Sequence, residues 1–358
     1  MRRPFRVNVA MFVVLFAALS AFSFISAGSD RPLFCAKLIW SLAVSFFGFL
    51  IYRSGAISKY RSILFILIAF FFFLGFNLFR FFSFADATPP YCHIAQVPTL
   101  LNFIYSQYLA LTSGDWRIWG PLTLGFAWLL IIFTIGQGIC SWVCFYGGID
   151  EAFSKVAKKQ LIRLNRPGPW RDFPIAFLIF LLIVSFLQGL PFFCNWFCPF
   201  KLTEAFWSNY PVIRIVQAVL FWTVLTVFLI AFPILTKKRT FCSLICPFGA
   251  FVSLCGKVSP YRVIINKEKC IACGRCQNVC PMLAIEDKNS KEYKISHFCN
   301  RCGKCIDVCP GGAINILTGR AGQAIDTRDI FIFLSLLLTG VISGTFVPRI
   351  LLQLIGMR

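Results

Sequence analysis

Apolar positions run in long, nearly unbroken blocks along this chain, separated by short polar or basic intervals. About 20 consecutive apolar residues cross the hydrocarbon core of a bilayer as a helix. The blocks of that length are Phe5 to Ala27, Leu33 to Tyr52, Ser62 to Phe84, Trp119 to Ile139, Phe173 to Phe193, Pro211 to Leu235 and Ile330 to Ile350. Arg2, Arg3 and Arg6 give the first block the basic start of a signal peptide. Its apolar run is long for one and no small-x-small cleavage site stands beyond it, so it is read as a retained span. The stretch from Val97 to Leu111 is shorter, bracketed by Pro98 and Gly114, and predicts an interfacial or re-entrant helix. From Gly256 to Arg328 the pattern turns polar and charged, which predicts a small domain outside the membrane. The expected fold is an α-helical polytopic membrane protein of about seven transmembrane helices with an inserted α+β domain. Its regions are 1–118 (first helices and an outer loop), 119–255 (transmembrane core), 256–328 (inserted domain) and 329–358 (last helix).

Charge orients the blocks. The chain carries 35 Lys and Arg against 14 Asp and Glu, a formal net charge of +21. Cations cluster before the first block, after the second (Arg53, Lys59, Arg61), after the fourth (Lys155 to Arg171) and after the sixth (Lys237, Lys238, Arg239). The alternate intervals hold few: Arg31, Arg117 and Lys201. Cytoplasmic loops collect Lys and Arg, so the amino terminus and the inserted domain are expected on the cytoplasmic side of the inner membrane. That bias accounts for the basic balance, and the expected partner is membrane lipid, not nucleic acid. Only 14% of residues are charged, against about 25% in soluble domains, which excludes an ordinary soluble enzyme.

Seventeen cysteines against two histidines, His93 and His297, set the chemistry. A bilayer haem held by two imidazoles needs a histidine pair there, and this chain does not have one. Cys270, Cys273, Cys276 and Cys280 precede Pro281, and Cys299, Cys302, Cys305 and Cys309 precede Pro310. The run C-x2-C-x2-C-x3-C-P is thus given twice, the pattern of bacterial two-cluster ferredoxins, in which the fourth cysteine of each run ligates the other cluster. Cys270, Cys273, Cys276 and Cys309 are assigned to one [4Fe-4S] cluster, and Cys299, Cys302, Cys305 and Cys280 to the second. Structural zinc would take separated cysteine pairs instead. Gly274 and Gly303 suit the close backbone wrapping such clusters need, and the thiolates call for a reducing compartment.

Three further pairs have the spacing C-x3-C and lie at block ends: Cys140 with Cys144, Cys194 with Cys198, and Cys242 with Cys246. On a helix this spacing puts both sulfurs on one face. By the predicted topology Cys140, Cys144, Cys242 and Cys246 share the inner side and form a candidate membrane cluster. Cys194 and Cys198 share the outer side with Cys35 and Cys92, a second candidate quartet. For these four, disulfides, or His93 in place of one thiolate, are the alternatives. Cys255 is read as a packed thiol.

Together these motifs resemble the membrane polyferredoxins of NapH/NosR/MauN type. The matching residues are CSWVCFYGGIDEAF from Cys140, CNWFCPFKLTEAF from Cys194, CSLICPFGAF from Cys242 and the two ferredoxin runs. Phe145 stands where the family has proline, and the Cys194 pair is additional. The resemblance implies an iron-sulfur electron-transfer subunit, quinol dehydrogenase-like, working with other redox subunits: ferredoxin-like proteins, a cytochrome or a periplasmic reductase. It also implies quinone as a carrier, since a bilayer core of about 30 Å is too wide for one tunnelling step. Asn77, Arg80, Gln137 and Gln188 are the polar candidates for a quinone site. Electrons would then pass between cytoplasmic clusters or the quinone pool and an outer-face partner. The competing readings are a thiol-disulfide oxidoreductase fed by the ferredoxin module, and a redox sensor or maturation protein.

Overall fold

A computed structural model describes residues 4–77, 92–114, 121–164, 172–199, 210–287, 293–318 and 325–356. Among them, 6 helical stretches are long and apolar enough to cross a membrane. The helices α1 (Phe5–Ala27), α2 (Arg31–Ser54) and α3 (Ile57–Asn77) form where the first three apolar blocks predict them. Gly55, at φ 72°, makes the left-handed turn that ends α2 and lets α3 start two residues later. The last helix, α16 (Arg328–Leu354), packs against α1, α2 and α3. Trp40 on α2 donates its indole N–H to Ser343 Oγ on α16 at 2.8 Å, so this apolar contact also has a fixed register.

The middle of the chain departs from the simple spans. The fifth block gives α9 (Phe173–Gln188), a 16-residue helix stopped by left-handed Gly189, with Pro191 just beyond. It is shorter than a full crossing, so among the described residues six stretches, not seven, have the length and composition to cross. The fourth block is α6 (Pro121–Ile135), followed by a tight turn at Gly136–Gly138, then α7 (Ile139–Trp142) and α8 (Phe145–Val156). Between α3 and α6 lie α4 (His93–Gln96) and α5 (Leu100–Thr112), the latter close to the short apolar helix expected there. After α9 come α10 (Phe192–Trp196) and α11 (Pro211–Thr223), which continues through a π-helical stretch into α12 (Phe232–Thr236). A second π-helical turn at Phe241–Ile245 leads into α13 (Pro247–Cys255).

The inserted domain is α+β. Strand β1 (Tyr261–Ile265) pairs antiparallel with β4 (Ile314–Thr318), and β2 (Ile285–Asp287) pairs with β3 (Tyr293–Ile295). Two five-residue helices, α14 (Arg275–Val279) and α15 (Lys304–Val308), pack on each other, and a short β5 (Ile325–Asp326) edges β4. Asp307 on α15 fixes this domain to the bundle. Its carboxylate accepts from the backbone N–H of Ile57 at 3.1 Å and of Ser58 at 2.7 Å, capping the exposed amino end of α3.

Candidate functional site

The two ferredoxin runs repeat in backbone as well as sequence. Ala272 and Arg301, Gly274 and Gly303, and Leu283 and Gly312 all have positive φ, at matching positions of the two copies. Alternation of this kind turns successive amides inward, a cradle for an anionic group. At the fourth cysteine of each run, the Ala284 N–H points at Cys280 Sγ and the Ala313 N–H at Cys309 Sγ, both at 3.3 Å. Cys270, Cys273, Cys276 and Cys309 line one small pocket. The thiols of Cys280, Cys299, Cys302 and Cys305 lie within electrostatic reach of one another. Burial, then the Cys280 thiol, pushes Cys299 up to about 12. Among the described residues no three ligating side chains converge tightly enough for a single ion. The donor set and the inward amides fit cubane clusters, whose thiolates stand at separate corners.

The membrane pairs sit on loops that turn back into the bundle. Ile135 is at the ferredoxin end, where its carbonyl takes a hydrogen bond from Arg301 Nη1. Left-handed Gly136 (φ 57°) leaves room for that guanidinium, which a Cβ would strike. The chain then runs inward: the Trp142 carbonyl accepts from Thr339 Oγ1 at 2.9 Å, and the Phe145 ring meets Phe346 at 5.9 Å. With a rise of about 1.5 Å per residue, Thr339 lies about 16 Å and Phe346 about 27 Å along α16 from Arg328. Helix α8 brings the chain back to the ferredoxin end. Cys242 to Cys246 makes a similar excursion: Arg239 N–H bonds the Pro281 carbonyl at 2.9 Å before it, and Gly256 packs against Gly136 after it. Cys144 reaches His93 inside the bundle, whereas Cys140 and Cys242 stay beside the ferredoxin domain.

In both loops the second cysteine is a helix N-cap, Cys144 for α8 and Cys246 for α13, with a glycine three residues on. The Gly249 N–H donates to Cys246 Sγ at 3.4 Å. A helix amino terminus favours a thiolate. Cys144 is within electrostatic reach of Cys140, Cys242 and Cys246, and Arg239 of Cys140, Cys144 and Cys242. Arg239 is fully buried; its Nη2 donates to the Cys140 carbonyl at 2.7 Å and reaches Cys242 Sγ at 3.7 Å. Its Nε and Nη1 have no hydrogen-bond partner, although Glu151 lies 3.9 Å from Nη1. Unsatisfied buried guanidinium donors among four thiols are costly and fit an anionic group held there. Sequence reading gave Arg239 only as a loop cation; the Cys-x-x-Gly in CFYG and CPFG was the available signal, and Lys201 replaces that glycine in the Cys194 pair.

The two sites touch. Ser141, next to Cys140, donates to the Asn300 carbonyl, next to Cys299, at 2.6 Å. Trp142 Nε1 donates to the Arg301 carbonyl at 3.3 Å. Buried Arg61 ties both sides, donating to the Cys302 carbonyl at 3.1 Å, the Ser141 carbonyl at 2.5 Å and Glu151 at 2.6 Å.

The outer cysteines are not placed as one group. Cys92 folds inward on α4, its sulfur 3.4 Å from Tyr146 Oη, and Cys198 also lies within electrostatic reach of Tyr146. Cys194 is half-buried on α10. Cys35 is exposed on α2 and, among the described residues, has no polar contact with the other three. His93 packs against Trp128 and Phe248 and sets its Nε2 3.2 Å from Cys144 Sγ. Beside it a mostly apolar cavity opens between α4, α5, α6 and α13, lined by His93, Gln96, Phe103, Trp128, Phe248 and Phe251 among others. Gln96 Nε2 is buried there without a hydrogen-bond partner. Of the polar residues singled out for quinone, Gln137 is buried and held by the Gly249 carbonyl at 3.4 Å, and Gln188 is exposed. The Asn77 side chain and Arg80 lie outside the described residues. Cys255 is half-buried.

Comparison with known proteins covers this same cysteine-rich region. A family model described as a 4Fe-4S binding domain matches residues 117–163, 173–208 and 218–265, one C-x3-C pair in each. A 4Fe-4S dicluster domain matches residues 262–310. YccM of Escherichia coli is 26% identical over 169 residues, 45% of this chain and 46% of its own length. The methylamine utilization ferredoxin-type protein MauN of Methylobacillus flagellatus is 30% identical over 154 residues, 41% of this chain and 48% of its own. The ferredoxin-type protein NapH of Haemophilus influenzae is 29% identical over 170 residues, 45% of this chain and 54% of its own. The match thus spans about half the length of these relatives, and no solved structure matches the chain. These matched iron-sulfur repeats and relatives support a polyferredoxin of NapH/MauN/NosR type, a helical membrane chain carrying two sets of 4Fe-4S binding repeats.

Proposed function

We propose that this chain is the membrane relay of a redox complex, with two ferredoxin clusters in series with a third held inside the bundle by Cys140, Cys144, Cys242 and Cys246. Iron-sulfur clusters supply one-electron chemistry when bound. The chain's own residues hold them, exclude water and set the distances between them. The observation that carries this reading is the 2.6 Å hydrogen bond from the Ser141 hydroxyl, next to Cys140, to the backbone carbonyl of Asn300, next to Cys299. The basic intervals support a cytoplasmic ferredoxin domain and amino terminus. Cys92 and Cys198, both within reach of Tyr146, suit with Cys194 a further metal group on the way to an outer-face partner. Exposed Cys35 is left out of it.

A quinone is the lipid-soluble carrier this arrangement suits. The cavity beside His93 is apolar, abuts the thiol set through the His93–Cys144 contact, and offers a buried amide N–H at Gln96 to a quinone carbonyl. In lipid nanodiscs a short-chain quinol is expected to reduce the clusters of the wild-type chain. Gln96→Leu should slow that reduction at least tenfold with the cluster spectra unchanged. Equal rates would reject this cavity, and an unreduced wild type would reject quinol as the donor.

A further inference from the structure

The two halves of the ferredoxin domain are related by an offset of 29 residues, so each edge of one has a counterpart on the other. The loop of the second run, from Asn300 to Gly303, is the edge docked on the bundle. It meets Ser141, Trp142, Arg61 and, through Gly303, Ile57. The matching edge of the first run, from Ile271 to Gly274, faces outward. Ile271 is 69% exposed and Cys273 is an exposed thiol. Lys269 and Arg275 line the same pocket as the four thiols of this site, and both are exposed, as is Lys267. Glu268 is the one exposed carboxylate in the segment from Lys267 to Arg275.

We infer that this edge is a docking port for a soluble redox protein whose own cofactor edge is apolar at the centre and ringed by carboxylates. An exposed isoleucine gives the contact its apolar centre, and the lysines and arginine around it steer an acidic partner. One electron crosses between the partner's cofactor and the cluster of Cys270, Cys273, Cys276 and Cys309, the donor being oxidised and that cluster reduced. The docked edge at Cys302 then serves the bundle as the outward edge at Cys273 serves the partner. The inference rests on the relay reading, because it needs a cluster at the first run.

The test uses the full chain in nanodiscs and, as probe, a reduced acidic [2Fe-2S] ferredoxin mixed by stopped flow. The wild-type second-order rate should fall steeply as salt rises. The charge-reversal pair Lys269→Glu/Arg275→Glu should lower it at least tenfold at low salt and flatten the salt dependence. Ile271→Glu should also lower it. Reduction by a small neutral photoreductant should fall far less than the ferredoxin rate in every variant and show no salt dependence. Should the charge-reversal pair lose its clusters, Lys269→Gln and Arg275→Gln singly take its place, each lowering the rate several-fold. A rate indifferent to these substitutions, with iron content and the EPR spectrum of the first cluster intact, overturns the docking port. A wild type without that spectrum overturns the relay reading instead.

Discussion

Gly147 shows how one missing Cβ admits the charge on which the membrane thiols depend. A side chain there would collide with Arg239 Nη2 and with the Cys140 carbonyl, 2.6 Å from the ideal Cβ position. Gly147→Ala should therefore displace the guanidinium and lower iron content by about one cluster per chain, checked by iron analysis. Arg239 itself favours the reduced, more negative state of a cluster beside it. Arg239→Gln should lower the midpoint potential of the membrane cluster, and Arg239→Lys should restore part of it, both read by redox titration. Cys299 gives a pH signature. Burial holds its folded pKa at about 12, above that of an exposed thiol, so protonation stabilises the metal-free fold fully below the exposed-thiol value. That stability is lost as pH rises through the higher one. Since iron binds the thiolate, cluster assembly at neutral pH should release protons, measurable in weakly buffered solution. Proton uptake, or none, would contradict this.

At the scale of elements, docking depends on a cap that joins two distant parts of the chain. Asp307 supplies the carboxylate that α3 lacks at its own amino end, across 250 residues of sequence. Asp307→Ala should cost about 1 kcal/mol, as loss of a helix cap does, seen as a lowered midpoint of thermal unfolding. Much of the element order was legible. The long apolar runs of α1, α2 and α16 and the doubled cysteine run read directly, because periodicity and ligand spacing are local. The re-entrant loops were not. Cys140 and Cys242 lie at the ends of apolar blocks, and the reversal depends on Gly136 yielding space to Arg301, a residue 165 positions away. Likewise Cys92 reads as an outer-loop thiol, yet α4 carries it in against Tyr146.

For the whole molecule, the contacts order the parts: an exposed first ferredoxin run, a second docked on the bundle, the membrane thiols beside Arg239, and an apolar cavity beside His93. Hydrogen bonds between the second and third of these dock the ferredoxin domain, which keeps its own core, firmly on the bundle. Removing iron with chelator under oxidising conditions should therefore destabilise both regions together, visible as one broadened calorimetric transition in place of a sharp one. The claim on which this order depends is a cluster at Cys140, Cys144, Cys242 and Cys246. Iron and acid-labile sulfide per chain, measured in wild type and Cys242→Ala with EPR of the reduced samples, test it most directly. The account predicts about twelve irons or more in wild type, a loss of about four in the variant, and intact ferredoxin signals. About eight irons in both proteins would contradict it.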